Sequence, residues 1–330
     1  MNTRPIENAK GHVWAVVLAA GDGTRLASLT TDALGVAIPK QYCSLQGDGS
    51  LLHDALVRAR SVAPRERCCV VVAATHQRYW RDLPATLPRS NIIVQPRNRG
   101  TAHGILLALL HILERDPHAR IVFMPADHYV RDEPALALGL SQLASHMQAH
   151  QRDLLLLGIE PDELDPELGY IVPGDGTSDA IRPVGQFVEK PSLQRARELL
   201  GRGALWNSFI FASHGTSLLD LLRSRMAATV ESMAHAVQQA VRLGRNDLLD
   251  ALYDSIESVD FSRGIVEGAE ARLRVLAAAA CGWSDLGTPQ RVRDTLRRLP
   301  EARRERPPFA PMLPALMNLA RQNAQLRMSA

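Results

Sequence analysis

The sequence predicts an α/β protein with a doubly wound, mainly parallel mixed sheet, a second lobe of mixed strands and a helical C-terminal tail. Three observations carry this. Continuous apolar runs, residues 13–20 above all, are bounded by glycine and read as strands buried on both faces. Such runs alternate with helical segments from residue 13 to about 150, the pattern of right-handed crossovers in a parallel sheet. Beyond that point the strands shorten and turn residues separate them.

In chain order, residues 13–20 form the first strand and run straight into Gly21-Asp22-Gly23-Thr24-Arg25, a tight turn whose amides can meet a ligand. The loop lacks the Gly-Lys-Ser/Thr of a P-loop, and Leu26 stands where a dinucleotide fingerprint needs its third glycine. Residues 50–63 have apolar positions at helical spacing, 68–74 form a valine-rich strand, 76–82 a short helix and 91–94 a third strand. The polar loop from Gln95 then enters a helix over 101–114, with Thr101 as the expected N-cap. Residues 120–124 form the next strand, and Asp127 and His128 follow its carboxyl end, where open α/β sheets bind ligands.

Further strands are expected at 154–159, 169–173, 181–189 and 205–212, then a helical stretch over 214–252. Short strands near 258–260, 264–267 and 273–277 precede a glycine-bounded turn at 282–287 that carries Asp285. From Thr288 the chain reads as helical, arginine-rich over 291–306, interrupted at Pro307-Pro308 and closed by a helix over 314–327. The mixed signs of the arginine run suit a solvated face. Residues 1–288 thus form the expected catalytic domain, with halves at about 11–150 and 151–288, and 289–330 a helical extension. Its last helix could dock on the body or on a second copy, giving a homodimer.

The 330 residues and formal charge of +3 allow a large core and give no case for a nucleic-acid partner. No apolar run is long enough to span a bilayer, and the basic start leads into a buried strand rather than a leader, so no membrane partner and a cytoplasmic location are expected. Cys43, Cys68, Cys69 and Cys281 have neither zinc nor CxxC spacing and read as reduced thiols. Of 38 basic residues only Lys10, Lys40 and Lys190 are lysine. An ammonium is not interchangeable with a guanidinium, which marks Lys40 and Lys190 for point-charge contacts to a phosphate or sugar.

The amides of the first turn, with Arg25 and Lys40, suit a phosphate chain. The loop from Gln95 and the helix N-terminus behind it offer a second anion or base site. Asp127 is placed to hold a divalent ion against phosphate oxygens, and Asp285 would supply a second carboxylate if the fold joins them. Glu189-Lys190 could grip a sugar's hydroxyls and phosphate, and Trp206-Asn207-Ser208 reads as a second, exposed polar cluster. Plainer readings stand beside each: a glycine turn, a capped loop, a turn-capping aspartate, a surface ion pair.

In order along the chain, LAAGDGTRL (18–26), PKQY (39–42), QPRNRGTA (95–102), MPADH (124–128), PELGYI (166–171), FVEKP (187–191), WNSFIF (206–211), SVDFSRGIVE (258–267) and GWSDLG (282–287) resemble the sugar-1-phosphate nucleotidyltransferases, within them the mannose-1-phosphate guanylyltransferases. The resemblance implies their Rossmann-like fold and the conversion of GTP and mannose 1-phosphate, a hexose 1-phosphate, to GDP-mannose and pyrophosphate with Mg2+. It implies that Leu18, Ala19, Ala20, Gly21, Gln95, Arg99, Gly100 and Thr101 face the guanine and ribose. Gly23, Thr24 and Arg25 would hold the triphosphate, and Lys40 would sit by the α-phosphate, Arg25 and Lys40 being the catalytic cations. Asp127 and Asp285 would bind magnesium, and Asp127, Gly169, Glu189, Lys190 and Asn207 the sugar phosphate. Phe209 stands where the family has glycine after Trp-Asn-Ser. Alternatives are another hexose phosphate or NTP, a catalytically silent nucleotide-sugar sensor, and a NAD-dependent enzyme, against which the missing third glycine counts.

Overall fold

Strand β1 (Val13–Ala19) belongs to a nine-stranded sheet in the computed structural model, which describes residues 11–32, 35–45, 49–175, 180–299 and 310–311. Its side chains alternate between the two faces: Ala15, Val17 and Ala19 enter one core, Trp14 and Val16 the other. A strand with both faces buried must be apolar throughout, which is why this run lacks the polar alternation of a surface strand.

After β1 come the short α1 (Ala27–Thr30), β2 (Cys43–Ser44), α2 (Leu51–Val62), β3 (Cys68–Ala73), α3 (Gln77–Trp80), β4 (Ile92–Gln95), α4 (Thr101–Leu113) and β5 (Arg120–Pro125). Then follow α5 (Glu133–His146), β6 (Leu154–Ile159), β7 (Gly169–Pro173), β8 (Ile181–Glu189), α6 (Leu193–Gly201), β9 (Leu205–His214), α7 (Gly215–Leu243), α8 (Asp247–Ser255), β10 (Leu273–Ala277), α9 (Pro289–Arg297) and β11 (Ala310–Pro311). The sheet order is β4-β3-β1-β5-β9-β6-β10-β8-β7. The first four strands pair in parallel, β9 joins β5 and β6 antiparallel, and β8 and β7 add antiparallel pairs at the far edge. The mixed strands therefore continue the same sheet. A separate two-stranded sheet pairs β2 with β11.

Helices α2, α5, α6 and α9 bury their apolar stripes in the core that holds Val17. Helices α4, α7 and α8 cover the other face, where Phe123, Phe211 and Phe261 stack with centroids 4.8–4.9 Å apart. Ser50, Ser192 and Thr288 cap α2, α6 and α9 by accepting backbone N–H bonds, as their side chains permit.

The stretch expected to be helical over 214–252 is helical and divides in two: Gly244, in the left-handed conformation, ends α7, and α7 itself kinks at Met226. Two expectations need correction. The short strands expected at 258–260 and 264–267 are absent. Val259 N–H donates to the Arg99 carbonyl and its own carbonyl accepts from Ala102 N–H, so this backbone is committed to the 99–102 loop instead of a ladder. Residues Ser262–Val266 then form a π-helical turn, with Asp260 Oδ1 accepting from Arg263 N–H at its start. Thr101 does not cap α4: it is the first helical residue, and its Oγ1 accepts from Phe261 N–H at 2.8 Å. The helix expected at 314–327 lies outside the described residues. Among those residues no helix is long and apolar enough to cross a membrane.

Candidate active site

The chain leaves β1 for β3 and β4 on one side and returns through α4 to β5 on the other. Such a reversal opens a crevice at the carboxyl ends of the strands. A cleft of about 540 Å³ lies there. Leu18, Ala19, Ala20, Gly21, Gly23 and Arg25 line it from β1 and its loop, Gln95, Gly100 and Thr101 from the next, and Asp127 from beyond β5. Gly169, Glu189, Lys190, Asn207 and Asp285 close it from the second half. Residues far apart in the chain are thus brought to one cleft. Thr24, Lys40 and Arg99 do not line it. Arg99 turns away, its Nε donating to the Tyr253 carbonyl at 2.7 Å, and Lys40 lies just behind Asp127.

Two glycines fix the loops. Gly23 has φ +63°, and a Cβ there would stand 2.8 Å from Lys40 N. Gly100 has φ +83°, and a Cβ would stand 2.3 Å from the Val259 carbonyl oxygen. Gln41, whose role the sequence reading missed, is buried and donates through Nε2 to the Ala19 and Gly21 carbonyls, 2.8 Å each, so it ties the first turn to the 40–42 segment.

The acid groups come with cations already beside them. Lys40 Nζ is 2.9 Å from Asp127 Oδ2 and donates to the Asp285 carbonyl at 2.6 Å. Burial raises the Asp127 carboxyl, but Lys40 and His128 outweigh it and hold the group below the usual carboxylate range. Asp285 is likewise raised by burial and brought lower by Arg291, which pairs with it directly. The same guanidinium pairs with Asp165 and is only 8% exposed. At this position the expected solvated face of α9 is a buried ion cluster. Burial takes the His128 imidazole down to about 4, so it is neutral at pH 7. Trp283 Nε1–H donates to its Nδ1 at 3.2 Å, which leaves the proton on Nε2.

On the opposite wall Glu189 sits across from Gly169 in the β7–β8 ladder. Burial, then Asp260, pushes its carboxyl up to about 7 against the pull of Lys190, Arg263 and Ser262. Its buried Oε2 has no hydrogen-bond partner among the described residues. Asn207 Nδ2 donates to Ser262 Oγ, and Asn207 Oδ1 accepts from Phe209 N–H at 3.1 Å. Lys190, Phe209 and Leu286 are the described non-glycine residues with positive φ, at 49°, 57° and 48°. Lys190 and Phe209 line the cleft, and Leu286 follows Asp285. Strained backbone concentrated around one cleft marks a functional region.

As donors for a divalent ion, Asp127 and Asp285 are ionised hard-oxygen ligands lining the same cleft. Among the described residues no cluster of three or more such ligands could hold a metal alone. The pair therefore fits an ion that takes its remaining ligands from phosphate and water, as magnesium does.

The family model described as "Nucleotidyl transferase" matches residues 14–301. Among curated proteins, the chain is 30% identical over 287 residues to the "Xanthan biosynthesis protein XanB" of Xanthomonas campestris, covering 84% of this chain and 58% of that protein. It is 31% identical over 295 residues to the "Mannose-1-phosphate guanylyltransferase" of Escherichia coli K12, covering 85% and 59%. The chain thus spans less than two thirds of these relatives. A solved structure of a "mannose-1-phosphate geranyltransferase" from Thermus thermophilus superposes with a TM-score of 0.73 at 26% identity, over 88% of this chain and 80% of that one. With matching motifs, sheet and cleft, the chain belongs to the nucleotidyl transferase family.

Proposed function

We propose that the chain transfers GMP from GTP to mannose 1-phosphate, giving GDP-mannose and pyrophosphate, in the supply of a polysaccharide precursor. The observation that carries this reading is the convergence on one cleft of the 18–25 loop, the Asp127–Lys40 pair and the Gly169, Glu189, Lys190 and Asn207 group. The relatives named for guanylyl transfer to mannose 1-phosphate and for xanthan biosynthesis support it.

A phosphate oxygen of the sugar phosphate is already an anion, so it attacks the α-phosphorus without a covalent enzyme intermediate. The new O–P bond forms as the bond to the bridging oxygen breaks, and pyrophosphate leaves with its electron pair. The chain's part is positioning and charge neutralisation. Residues 18–21 and the 95–101 loop hold the base and ribose, Gly23 and Arg25 the triphosphate, and Lys40, from behind Asp127, the charge at the α-phosphate. Residues 169, 189, 190 and 207 orient the sugar phosphate. Asp127 and Asp285 would hold Mg2+, which neutralises phosphate charge when bound. The two halves of the domain thus divide nucleotide from sugar. A cytoplasmic setting suits soluble substrates of this kind.

A second reading keeps the reaction and changes the hexose phosphate or NTP, favoured by Phe209 on the cleft wall. Pyrophosphate release with magnesium, measured for the four NTPs against mannose, glucose, galactose and fucose 1-phosphates, separates them. Release confined to GTP with mannose 1-phosphate supports the first reading, another active pair the second, and silence throughout refutes both. Asp127→Asn and Lys40→Ala are each expected to lower turnover roughly a hundredfold, the scale of losing one strong electrostatic stabiliser. Near-normal turnover in either removes that residue from its role.

A further inference from the structure

Behind the 282–287 loop lies a second cavity of about 390 Å³, separated from the cleft by a wall that includes Trp283 and Asp285. It has the size of a small-ligand site. Two residues on its wall carry donors without an acceptor. Trp206 is 4% exposed and Arg291 8%, yet Trp206 Nε1 and Arg291 Nε have no hydrogen-bond partner among the described residues. Buried N–H groups left unpaired are costly and rare, and a small shift of either side chain toward the cavity would set its N–H against an acceptor carried by a ligand.

The chemistry of the remaining wall narrows the ligand. Tyr129, Trp206 and Trp283 supply aromatic rings, the last two with centroids 6.3 Å apart. Carboxylates on the wall outnumber guanidinium groups five to three, which disfavours a nucleotide or a phosphate ester. Glu163 is among them, its carboxyl raised by burial and by Asp162 and Asp165. A ligand that accepts from indole and guanidinium, donates to carboxylates and lays C–H groups on negative ring faces is a polyhydroxylated, uncharged ring. We propose that this cavity is a second binding site, for a neutral sugar. It does not depend on the reaction proposed above. Because Arg291 reaches Asp285 through the shared wall, occupancy would be felt at the cleft.

The indole N–H resonances of the full chain, titrated with D-mannose and separately with D-glucose, test this. The chain has four tryptophans. Trp14 and Trp80 donate to Asp116 and to the Ala73 carbonyl, away from both cavities, and only Trp206 faces the second cavity without facing the cleft. The Trp206 resonance is expected to shift saturably with at least one of the two sugars. Glu163→Gln, which removes a charged acceptor, and Ala280→Trp, which fills the mouth from an exposed position, are each expected to weaken that binding about tenfold or more. Asn207→Ala, in the cleft, should leave it unchanged. No shift of Trp206 with either sugar, a shift confined to Trp283, or loss of binding in Asn207→Ala with retention in both cavity variants would overturn the proposal.

Discussion

Glu189→Gln should stabilise the protein at alkaline pH and have almost no effect in acid. The wild-type carboxyl is raised from 4.5 to about 7, first by burial and then by Asp260. A carboxyl whose folded pKa exceeds its unfolded value binds its proton more tightly in the native state. Its destabilising contribution is therefore absent below about 4.5, grows as pH rises, and is complete above about 7. The rise from 4.5 to about 7, at about 1.4 kcal/mol per tenfold change in proton affinity, sets the contribution at up to about 3.5 kcal/mol. Glutamine keeps the shape, has no charge to desolvate, and can turn its amide toward Asp260. Urea unfolding of both proteins at pH 4.5 and pH 8 isolates the effect, because every other group titrates in both and cancels in the difference. The variant should be more stable by about 2–3 kcal/mol at pH 8 and equal to wild type within about 0.5 kcal/mol at pH 4.5. An equal difference at both pH values would show that the carboxyl is not raised by its surroundings and refute the reasoning.

Arg291→Ala leaves the Asp285 and Asp165 carboxylates buried without their cation and is expected to cost about 3–5 kcal/mol in urea unfolding at pH 8. The loss should shrink toward pH 4 as the Asp285 carboxyl, raised by burial and no longer held down by Arg291, takes up a proton; a loss independent of pH counts against the ion cluster. Gly100→Ala puts a Cβ against the Val259 carbonyl at a backbone angle only glycine adopts easily, and should cost about 3 kcal/mol or more by the same measurement. Phe209→Gly relaxes a left-handed residue and opens the cleft beside Asn207. Discrimination between mannose and glucose 1-phosphates, as a ratio of kcat/KM, should fall about tenfold, and an unchanged ratio would show that the ring does not set specificity.

The parallel half of the sheet was legible because each strand is buried on both faces and must be apolar from end to end, while glycine and polar residues mark the turns. What failed was long-range. Nothing local in residues 258–267 says that their backbone groups will be used by the distant loop at 99–102. Their apolar character comes from Phe261, Ile265 and Val266 packing under α4 and α7, not from a place in the sheet. Gly244 marks the point where the 214–252 helical stretch divides, as a left-handed glycine past a helix end does. Most residues of the motifs line the cleft, but nothing in the motifs marks the residues that support them. Gln41 looks like any polar residue until two carbonyls lie 2.8 Å from its amide. Arg291 sits in an arginine-rich run whose other members give no hint that it turns inward. The positive φ of Phe209 explains why a glycine suits that position: Asn207 Oδ1 takes the Phe209 N–H in a local turn that an ordinary strand residue does not make.

The scarcity of lysine finds a physical account at position 40. Its ammonium is 7% exposed and meets three acceptors from two loops: Asp127 Oδ2 at 2.9 Å, the Asp285 carbonyl at 2.6 Å and the Leu286 carbonyl at 3.5 Å. Three donors on a tetrahedral nitrogen can point at three oxygens in different directions. A guanidinium keeps its five donors in one plane and is matched instead to the paired oxygens of a carboxylate, as Arg58 is to Glu133. Lys40 therefore does more than bring charge: it joins the loop after β5 to the loop before α9 and fixes the separation of Asp127 from Asp285. Because two of its acceptors are carbonyls, which no pH change can neutralise, the link persists even when Asp127 is protonated. Arginine can serve for lysine wherever only the sign of the charge matters, as over most of this chain; at position 40 the three acceptors on two loops call for the geometry of an ammonium.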